Sequence, residues 1–272
     1  MQRDLKGDLE LFSRYMALTG VPTLEAAPAP DPRLQGKKLG IVNGASWTSL
    51  FSNYFGSRIL PGVKLVNVGN EGVQLNFMEA HRRGLPCPPQ INIDLFVRYS
   101  EDLVKLVGVD AILISCSTMN RAAGAVRQAM KKYNVPVVQI DEAMMEEAVL
   151  RGGRILVVAT HGPTVRNTQE LLKESAEKLG RQVAFSGATV EEAFHLLGRG
   201  EIEAHNEAIA AAIREAAARE TIQTVVLAQL SMAVFKLSYP DPVRDFGVPV
   251  LTSGETGFER VRRILTGEAP AA

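Results

Sequence analysis

The chain repeats one pattern at a nearly constant spacing, and this repeat limits the possible folds more than any other feature. An apolar run that ends in small polar residues occurs at 111–119 and again at 224–232, 113 positions later. A Val-Pro-Val segment begins at Val135 and recurs at Val248, with the same offset of 113. A third pair of apolar runs begins at Leu39 and at Ile155, 116 positions apart. Three matches in the same order predict two halves built on one plan.

Short apolar runs alternate with longer amphipathic segments in both halves. Several short runs are rich in Val, Ile and Leu without alternation, which is typical of strands buried on both faces. This βαβα order predicts an α/β fold in which helices cover parallel sheets. The predicted strands are 38–42, 63–68, 111–115, 135–140, 154–159, 182–186, 224–228 and 248–251. The predicted helices are 99–107, 121–133, 143–151, 165–179, 190–197, 202–219 and 256–265.

The repeat also predicts how the chain is divided. Residues 37–150 form the first α/β half and residues 151–255 the second, and we expect the final helix, 256–266, to return to the first half. Ligands of open α/β sheets bind beyond the carboxyl ends of the strands. Two halves that face each other therefore predict a cleft lined by four loops, namely 43–48, 116–120, 160–164 and 229–232.

The first 36 residues stand apart as a helix and a linker. Leu5, Leu9, Phe12 and Met16 have the spacing of one apolar face of a helix. A Pro/Ala-rich stretch at 26–32 follows and is typical of a linker. Two interpretations stay open: a helix packed on its own domain, or an arm that reaches across a homodimer, the oligomer we expect.

Composition excludes several classes of protein. Thirty Lys+Arg balance thirty Asp+Glu, whereas a nucleic-acid binder would need a basic face. No apolar run reaches the ~18 residues of a membrane helix, and residues 1–16 lack the apolar region of a signal peptide. We therefore expect a cytoplasmic protein with no membrane partner. With only two cysteines, Cys87 and Cys116, a disulfide scaffold is excluded and a thiolate metal site is not expected.

Cys116 is the first candidate for chemistry. It ends a strand of the buried type and comes shortly before a predicted helix. Unpaired backbone N–H groups and the positive end of the helix dipole are expected to lower the pKa of its thiol and favour the thiolate. Cys87 lies in a Pro-rich loop and is interpreted as an incidental surface thiol. The loop around it, 70–93, is long enough to act as a lid.

A series of motifs resembles the aspartate/glutamate racemase superfamily. The motifs are a strand ending in Cys116-Ser-Thr, VPVVQIDEAM at 135–144, ILVVATHGPT at 155–164 and VVLAQLSM at 225–232. The superfamily includes glutamate, aspartate and hydantoin racemases, maleate isomerase and arylmalonate decarboxylase. The resemblance covers about residues 37–266. It implies two Rossmann-like halves related by a pseudo-two-fold axis, an active-site cleft between them, and no cofactor.

The resemblance also implies a role for Cys116. In the racemases of this family, two cysteines face the substrate from opposite sides, and they remove and return the proton at the carbon α to a carboxylate. Cys116 matches the first cysteine, but the second falls on Gln229, which cannot exchange a proton in this way. The resemblance as a whole predicts a racemase or epimerase, while Gln229 is more consistent with the alternative, a single-cysteine decarboxylase or cis–trans isomerase. A non-catalytic small-molecule binding protein is the second alternative.

Neutral donors on the cleft loops are expected to hold the substrate carboxylate, since preorganised hydrogen bonds stabilise an enediolate. The predicted substrate-binding residues are Asn43, Ser46, Ser117, Thr118, Asn120, Thr160, Thr164, Gln229 and Ser231. His161, on the half opposite Cys116, is the candidate second acid/base because histidine titrates near neutrality. No His or Cys spacing predicts a metal site.

The remaining titratable residues near these loops are interpreted as structural. Asp141 follows a strand and is predicted to be a helix N-cap, with a role in orienting the cleft as the alternative. His81 and His195 are interpreted as structural residues, and His205 as a surface residue.

Overall fold

A computed structural model describes residues 5–20 and 28–268, so residues 26 and 27 of the predicted linker lie outside the described part. The strands of the described residues are β1 (Lys38–Val42), β2 (Lys64–Val68), β3 (Ala111–Ile114), β4 (Val137–Gln139), β5 (Arg154–Ala159), β6 (Ala184–Thr189), β7 (Thr224–Leu227) and β8 (Val250–Thr252). The helices are α1 (Leu5–Thr19), α2 (Ser49–Ile59), α3 (Glu71–Arg82), α4 (Gln90–Val107), α5 (Ala123–Met130), α6 (Glu142–Arg151), α7 (Gly162–Lys178), α8 (Glu191–Gly198), α9 (Ile202–Arg219), α10 (Phe235–Ser238), α11 (Pro242–Phe246) and α12 (Ser253–Leu265).

The strands form two parallel sheets with the same internal order. The first sheet has the order β2-β1-β3-β4 and the second has the order β6-β5-β7-β8. Every neighbouring pair in both sheets is parallel. β3 and β7, like β4 and β8, begin 113 positions apart, which is the offset of the sequence repeat. The predicted α/β fold with two parallel-sheet halves is confirmed.

Each sheet is buried on both faces because alternate residues of a strand point to opposite sides. In the first half, Leu113 packs into a core with Phe258, while Ile112 and Ile114 pack on the other face with Phe96. The second sheet lies between two cores in the same way. The central strands β1, β3, β5 and β7 therefore need the continuous apolar runs that the sequence shows.

Helix α12 packs against the first sheet although it follows the last strand of the second. Its residues Phe258, Val261 and Leu265 lie in the core that also contains Leu39. The approach is close, since a Cβ on Gly257 would lie 2.5 Å from Ile140 Cγ1. The chain therefore ties its C-terminal helix to its first half.

Helix α1 forms over the predicted amphipathic segment, but its apolar face is not buried within the described chain. Leu9 is 68% exposed, Phe12 66% and Met16 51%. Residues 5–20 and 28–268 leave these side chains more than half exposed, so the choice between a packed helix and a dimer arm stays a prediction.

The prediction that residues 70–93 form one long loop is wrong. Helix α3 occupies residues 71–82 and helix α4 begins at Gln90, which leaves only a short connection. The Asn70 side chain caps α3 by accepting a hydrogen bond of 2.8 Å from the Gly72 N–H. Val73 and Phe77 face the core with the spacing of a helix. Helix α2 was also not predicted.

No described helix is long and apolar enough to cross a membrane.

Candidate active site

A cavity lies between the two halves, beyond the carboxyl ends of β3 and β7 in the sheets. Its empty space is about 620 Å³, open solvent at the mouth included. The first half contributes Gly44, Ala45, Trp47, Thr48, Val73, Gln74, Phe77, Met78 and residues 115–119. The second half contributes His161, Phe194, Gln229, Leu230 and Ser231. The position of the cavity follows from the repeat, because the equivalent ends of β3 and β7 both border it.

Cys116 ends β3 with its sulfur surrounded by backbone donors. The backbone N–H groups of Met119, Thr118 and Gly44 lie near enough to favour its charged form. The Gly44 backbone comes so close that a Cβ at this position would lie 2.4 Å from Cys116 Sγ. Only glycine permits this approach, which gives the sulfur a fixed position at the cavity.

The expectation of a lowered Cys116 pKa is wrong. Burial raises the pKa of the thiol to about 11, more than the backbone N–H groups lower it, and the charge of Asp141 adds to the increase. The expected dipole is also small, because residues 117–122 form a 3-10 helix with a non-helical Met119, and α5 begins only at Ala123. At neutral pH Cys116 is therefore a thiol.

Asp141 lies buried beside the segment that carries Cys116. Its Oδ1 accepts a hydrogen bond of 2.9 Å from Ser117 Oγ, and its Oδ2 accepts one of 2.7 Å from Gln139 Nε2. Burial raises the pKa of the carboxyl to about 6, although these bonds favour the charged form. Asp141 stands at the N-cap position of α6 but makes no side-chain capping bond. Asp141 is thus the N-cap residue by position, as predicted, but its side chain does not cap the helix and instead holds Ser117.

Gln229 holds the position at the end of β7 that Cys116 holds at the end of β3. Its Oε1 accepts hydrogen bonds from the Thr160 backbone N–H at 2.7 Å and from Thr160 Oγ1 at 2.9 Å. Two donors thus fix the carbonyl end of the amide. The Nε2 group has no protein partner in the described part of the chain, so it is a free donor at the cavity.

Three aromatic side chains meet where the two halves approach each other. The His161 and Phe194 ring centroids lie 4.6 Å apart, and the Trp47 and Phe194 centroids lie 6.4 Å apart. Burial lowers the pKa of His161, so its imidazole is neutral at pH 7. Its Nε2 is buried without a partner in the described residues. His161, Gln229 and Ser231 are the polar side chains that the second half contributes to the cavity lining.

Comparison with known proteins identifies the family. Residues 97–261, more than half of the chain, match the sequence model of the family described as Asp/Glu/Hydantoin racemase. The chain belongs to this family. No curated protein matches the sequence.

Solved structures of racemases share the fold of this racemase-family chain. A glutamate racemase isoform from Bacillus anthracis has a TM-score of 0.61 at 16% identity, over 86% of this chain and 83% of that chain. An aspartate racemase from Picrophilus torridus has a TM-score of 0.58 at 16% identity, over 87% of this chain and 96% of that chain. An allantoin racemase from Klebsiella pneumoniae has a TM-score of 0.58 at 18% identity, over 87% of this chain and 91% of that chain. At these identities the likeness concerns the fold alone.

The predicted donors of this racemase-family chain separate into two groups. Ser117, Thr118, Gln229 and Ser231 line the cavity, as do Cys116 and His161. The other five do not line it, namely Asn43, Ser46, Asn120, Thr160 and Thr164.

The five residues outside the cavity have partners within the protein. Asn43 Oδ1 accepts from Ser115 Oγ at 2.6 Å and from Ser52 Oγ at 2.9 Å, and Ser46 Oγ donates to Glu71 Oε2 at 3.0 Å. These bonds fix the loop after β1. Thr160 holds Gln229, while Thr164 and Asn120 join the two halves through Thr118 Oγ1 at 3.3 Å and the Asn167 carbonyl at 3.5 Å.

Sequence reasoning missed the apolar side of the cavity. Val73, Phe77 and Met78 lie on α3, a helix that was not predicted. Trp47 lies in the predicted cleft loop 43–48 and Phe194 in the predicted helix 190–197, but neither was named as a site residue. The Val73/Phe77 spacing was the one available signal for α3.

The other histidines do not line the cavity. His205 is fully buried and its Nδ1 lies 2.7 Å from the Ala193 carbonyl oxygen, so its interpretation as a surface residue is wrong. His81 and His195 are exposed. No group of three His, Cys, Asp or Glu side chains suited to a metal ion occurs in residues 5–20 and 28–268.

Proposed function

We propose that this racemase-family chain moves a proton, without a cofactor, at the carbon α to a carboxylate or carboxylate-like group, with Cys116 as the proton carrier. The observation that carries the proposal is the position of the Cys116 sulfur. The close approach of the Gly44 backbone fixes it at the end of β3, on a cavity lined by both halves of a racemase-family fold. A fixed acid/base beside a bound carbon acid is what this chemistry needs.

The proton transfer needs Cys116 in both protonation states. A Cys116 thiolate takes the α-proton, the C–H electron pair enters an enediolate, and the resulting thiol returns a proton to carbon. Because the thiol pKa is about 11, about one site in ten thousand is a thiolate at pH 7. Proton removal is therefore the slower direction at neutral pH, and proton donation to a preformed enediolate is the easier one.

Neutral donors on the second half are proposed to stabilise the enediolate oxygens. Gln229 Nε2 is free because Thr160 occupies its carbonyl oxygen. The Ser231 hydroxyl has no protein partner among the residues that the structure describes, and it also lines the cavity. Preorganised neutral donors stabilise a developing oxyanion without a charged partner.

Racemisation needs a second proton carrier on the opposite face, and we propose His161 for it. The imidazole is neutral at pH 7, lies on the other half and has an unpartnered Nε2. It is able to accept or supply a proton, whereas the Gln229 amide is not.

A second candidate is one-sided chemistry by Cys116 alone, as in a decarboxylase or an isomerase. Gln229 opposite Cys116 favours it, as does the high pKa of the thiol. In a decarboxylation the C–C bond breaks, its electron pair enters the enediolate and CO2 leaves. The Cys116 thiol then donates its proton to carbon, and water reprotonates the thiolate.

The test is proton NMR in D2O with a panel of amino acids, hydroxy acids, hydantoins and substituted malonates. Wild type, Cys116→Ala and Cys87→Ala are compared, because the second cysteine is a matched control outside the cavity. The proposal expects deuterium uptake at an α-carbon that Cys116→Ala abolishes and Cys87→Ala retains. Uptake with loss of CO2 would assign the one-sided reaction. Uptake that survives Cys116→Ala, or no uptake with any compound, would overturn the proposal in favour of another catalytic group or a binding protein.

A further inference from the structure

We propose that the cavity selects a substrate with one acidic group and one apolar substituent of aromatic size, and that it discriminates against a second carboxylate. That a compound of this class also reacts at its α-carbon rests on the proposed function. The binding preference itself can be measured without any reaction.

The first observation is the charge of the cavity lining. No Lys, Arg, Asp or Glu side chain contributes to it in the part of the chain that the structure describes. His161, the one titratable ring in the lining, is neutral at pH 7 because burial lowers its pKa. A second carboxylate in this space would lose its hydration without meeting a cation.

The second observation is that the free polar donors suffice for one acidic group. Ser117 already donates to Asp141, and Ser115 already donates to Asn43. Gln229 Nε2 and the Ser231 hydroxyl remain together on the segment after β7, while Gln74 Nε2 on α3 and the His161 ring are further neutral groups elsewhere in the lining. Two neighbouring neutral donors match the two oxygens of one carboxylate, or a carbonyl of a carboxylate-like ring.

The third observation is the apolar character of the rest of the lining. Phe77 and Met78 on α3, Trp47 after β1, and Phe194 on α8 contribute large apolar surfaces. Trp47 is held in place by a hydrogen bond of 3.1 Å from its Nε1 to Gln74 Oε1. Trp47 and Phe194 come from different halves and lie in ring contact at 6.4 Å. A flat apolar substituent gains both burial and ring contacts on this surface.

The experiment uses Trp47 as its reporter. The chain has a single tryptophan, so intrinsic tryptophan fluorescence reports on this cavity alone. The Cys116→Ala variant is titrated with 2-phenylpropionate and with 2-methylsuccinate. Both probes have the same α-carbon, methyl group and carboxylate, and they differ only in a phenyl group against a carboxymethyl group. We expect the phenyl compound to bind more tightly by at least about tenfold.

Two variants tie the preference to the ring surface. Phe194→Ala should weaken binding of 2-phenylpropionate by about tenfold and leave the weak binding of 2-methylsuccinate unchanged. Phe12→Ala removes a ring of the same kind on exposed helix α1, away from the cavity, and should change neither affinity. Circular dichroism checks that both variants are folded.

Three results would overturn the inference: 2-methylsuccinate binding as tightly as 2-phenylpropionate, neither probe changing the Trp47 fluorescence, or Phe12→Ala acting like Phe194→Ala. Failure of the proposed function is a separate outcome. It would be seen as α-proton exchange that does not depend on Cys116, whatever the binding preference proves to be.

Discussion

Around Cys116, two opposing effects act on one proton. Backbone N–H groups favour the thiolate, while burial and the nearby Asp141 charge favour the thiol, and the pKa of about 11 shows that burial is the larger effect. Sequence alone shows the strand end and the neighbouring turn, which is why the opposite direction was predicted. Burial depends on tertiary packing, in which Cys116 lies against the core that contains Val73 and Phe77, and it is visible only in the folded structure.

The protonation state of Cys116 predicts a pH profile. In a Cys87→Ala protein the rate of alkylation by iodoacetamide should rise about tenfold per pH unit through pH 9, because only the thiolate reacts. The slope is informative even though burial slows access of the reagent. A rate that levels off below pH 9 would show that the thiol pKa is not raised.

Gly44 is predicted to be required for the position of the Cys116 sulfur. In Gly44→Ala the new Cβ would lie 2.4 Å from Sγ, so the thiol must move. A displacement of this kind is expected to cost about 100-fold in α-proton exchange with little loss of melting temperature. Gly124→Ala on α5 is the control, because a Cβ there meets no atom within 4 Å. Equal effects of the two substitutions would contradict this role of Gly44.

Asp141 is predicted to make stability depend on pH. Burial raises its pKa from 3.8 to about 6, so the folded state favours the protonated carboxyl. Its stabilising contribution is complete below pH 3.8 and is lost as the pH rises through 6, a change of roughly 3 kcal/mol. Urea unfolding of wild type and Asp141→Asn should therefore show the free-energy difference moving in favour of the variant between pH 4 and pH 7. A difference that does not change with pH would be inconsistent with a raised pKa.

At the scale of elements, the apolar runs predicted all eight strands, and the repeat paired six of them between the two halves. β1, β5 and α9 begin and end at the predicted residues. Helices α2 and α3 were not predicted, since Gly, Asn and Ser interrupt their apolar pattern, and tertiary contacts of Phe55, Val73 and Phe77 stabilise them instead. Helix α3 supplies Val73, Phe77 and Met78 to the apolar cavity surface, so this part of the candidate site was missed, while polar residues at the strand ends were predictable.

The equivalence of β3 and β7 predicts the effect of a second thiol. In Gln229→Cys the new sulfur would stand at the position equivalent to Cys116 in the other half. Racemisation should appear or rise relative to one-sided exchange, because a thiol can exchange a proton and an amide cannot. Chiral chromatography of the product measures it. Gln90→Cys, at the exposed start of α4, serves as the control. No change in Gln229→Cys would show that this loop does not face Cys116 as described.

At the scale of the whole molecule, the cavity exists only because the two halves are held in one arrangement. The Thr118–Thr164 contact joins them beside Cys116, and Arg121 on the first half pairs with Glu170 on α7 at 2.9 Å. Helix α12 connects the end of the second sheet to the core of the first. The acid/base and the donors proposed to face it thus come from different halves of a duplicated fold.

The most direct test of this account starts from one enantiomer of a compound that exchanges its α-proton in the D2O panel. It follows both the exchange of that proton and the configuration of the α-carbon. Deuterium uptake at the α-carbon is measured by proton NMR, and enantiomer composition by chiral chromatography, for wild type, Cys116→Ala and His161→Asn. The account predicts uptake that requires Cys116, and conversion to the other enantiomer that additionally requires His161. Uptake in Cys116→Ala equal to that of wild type would contradict it.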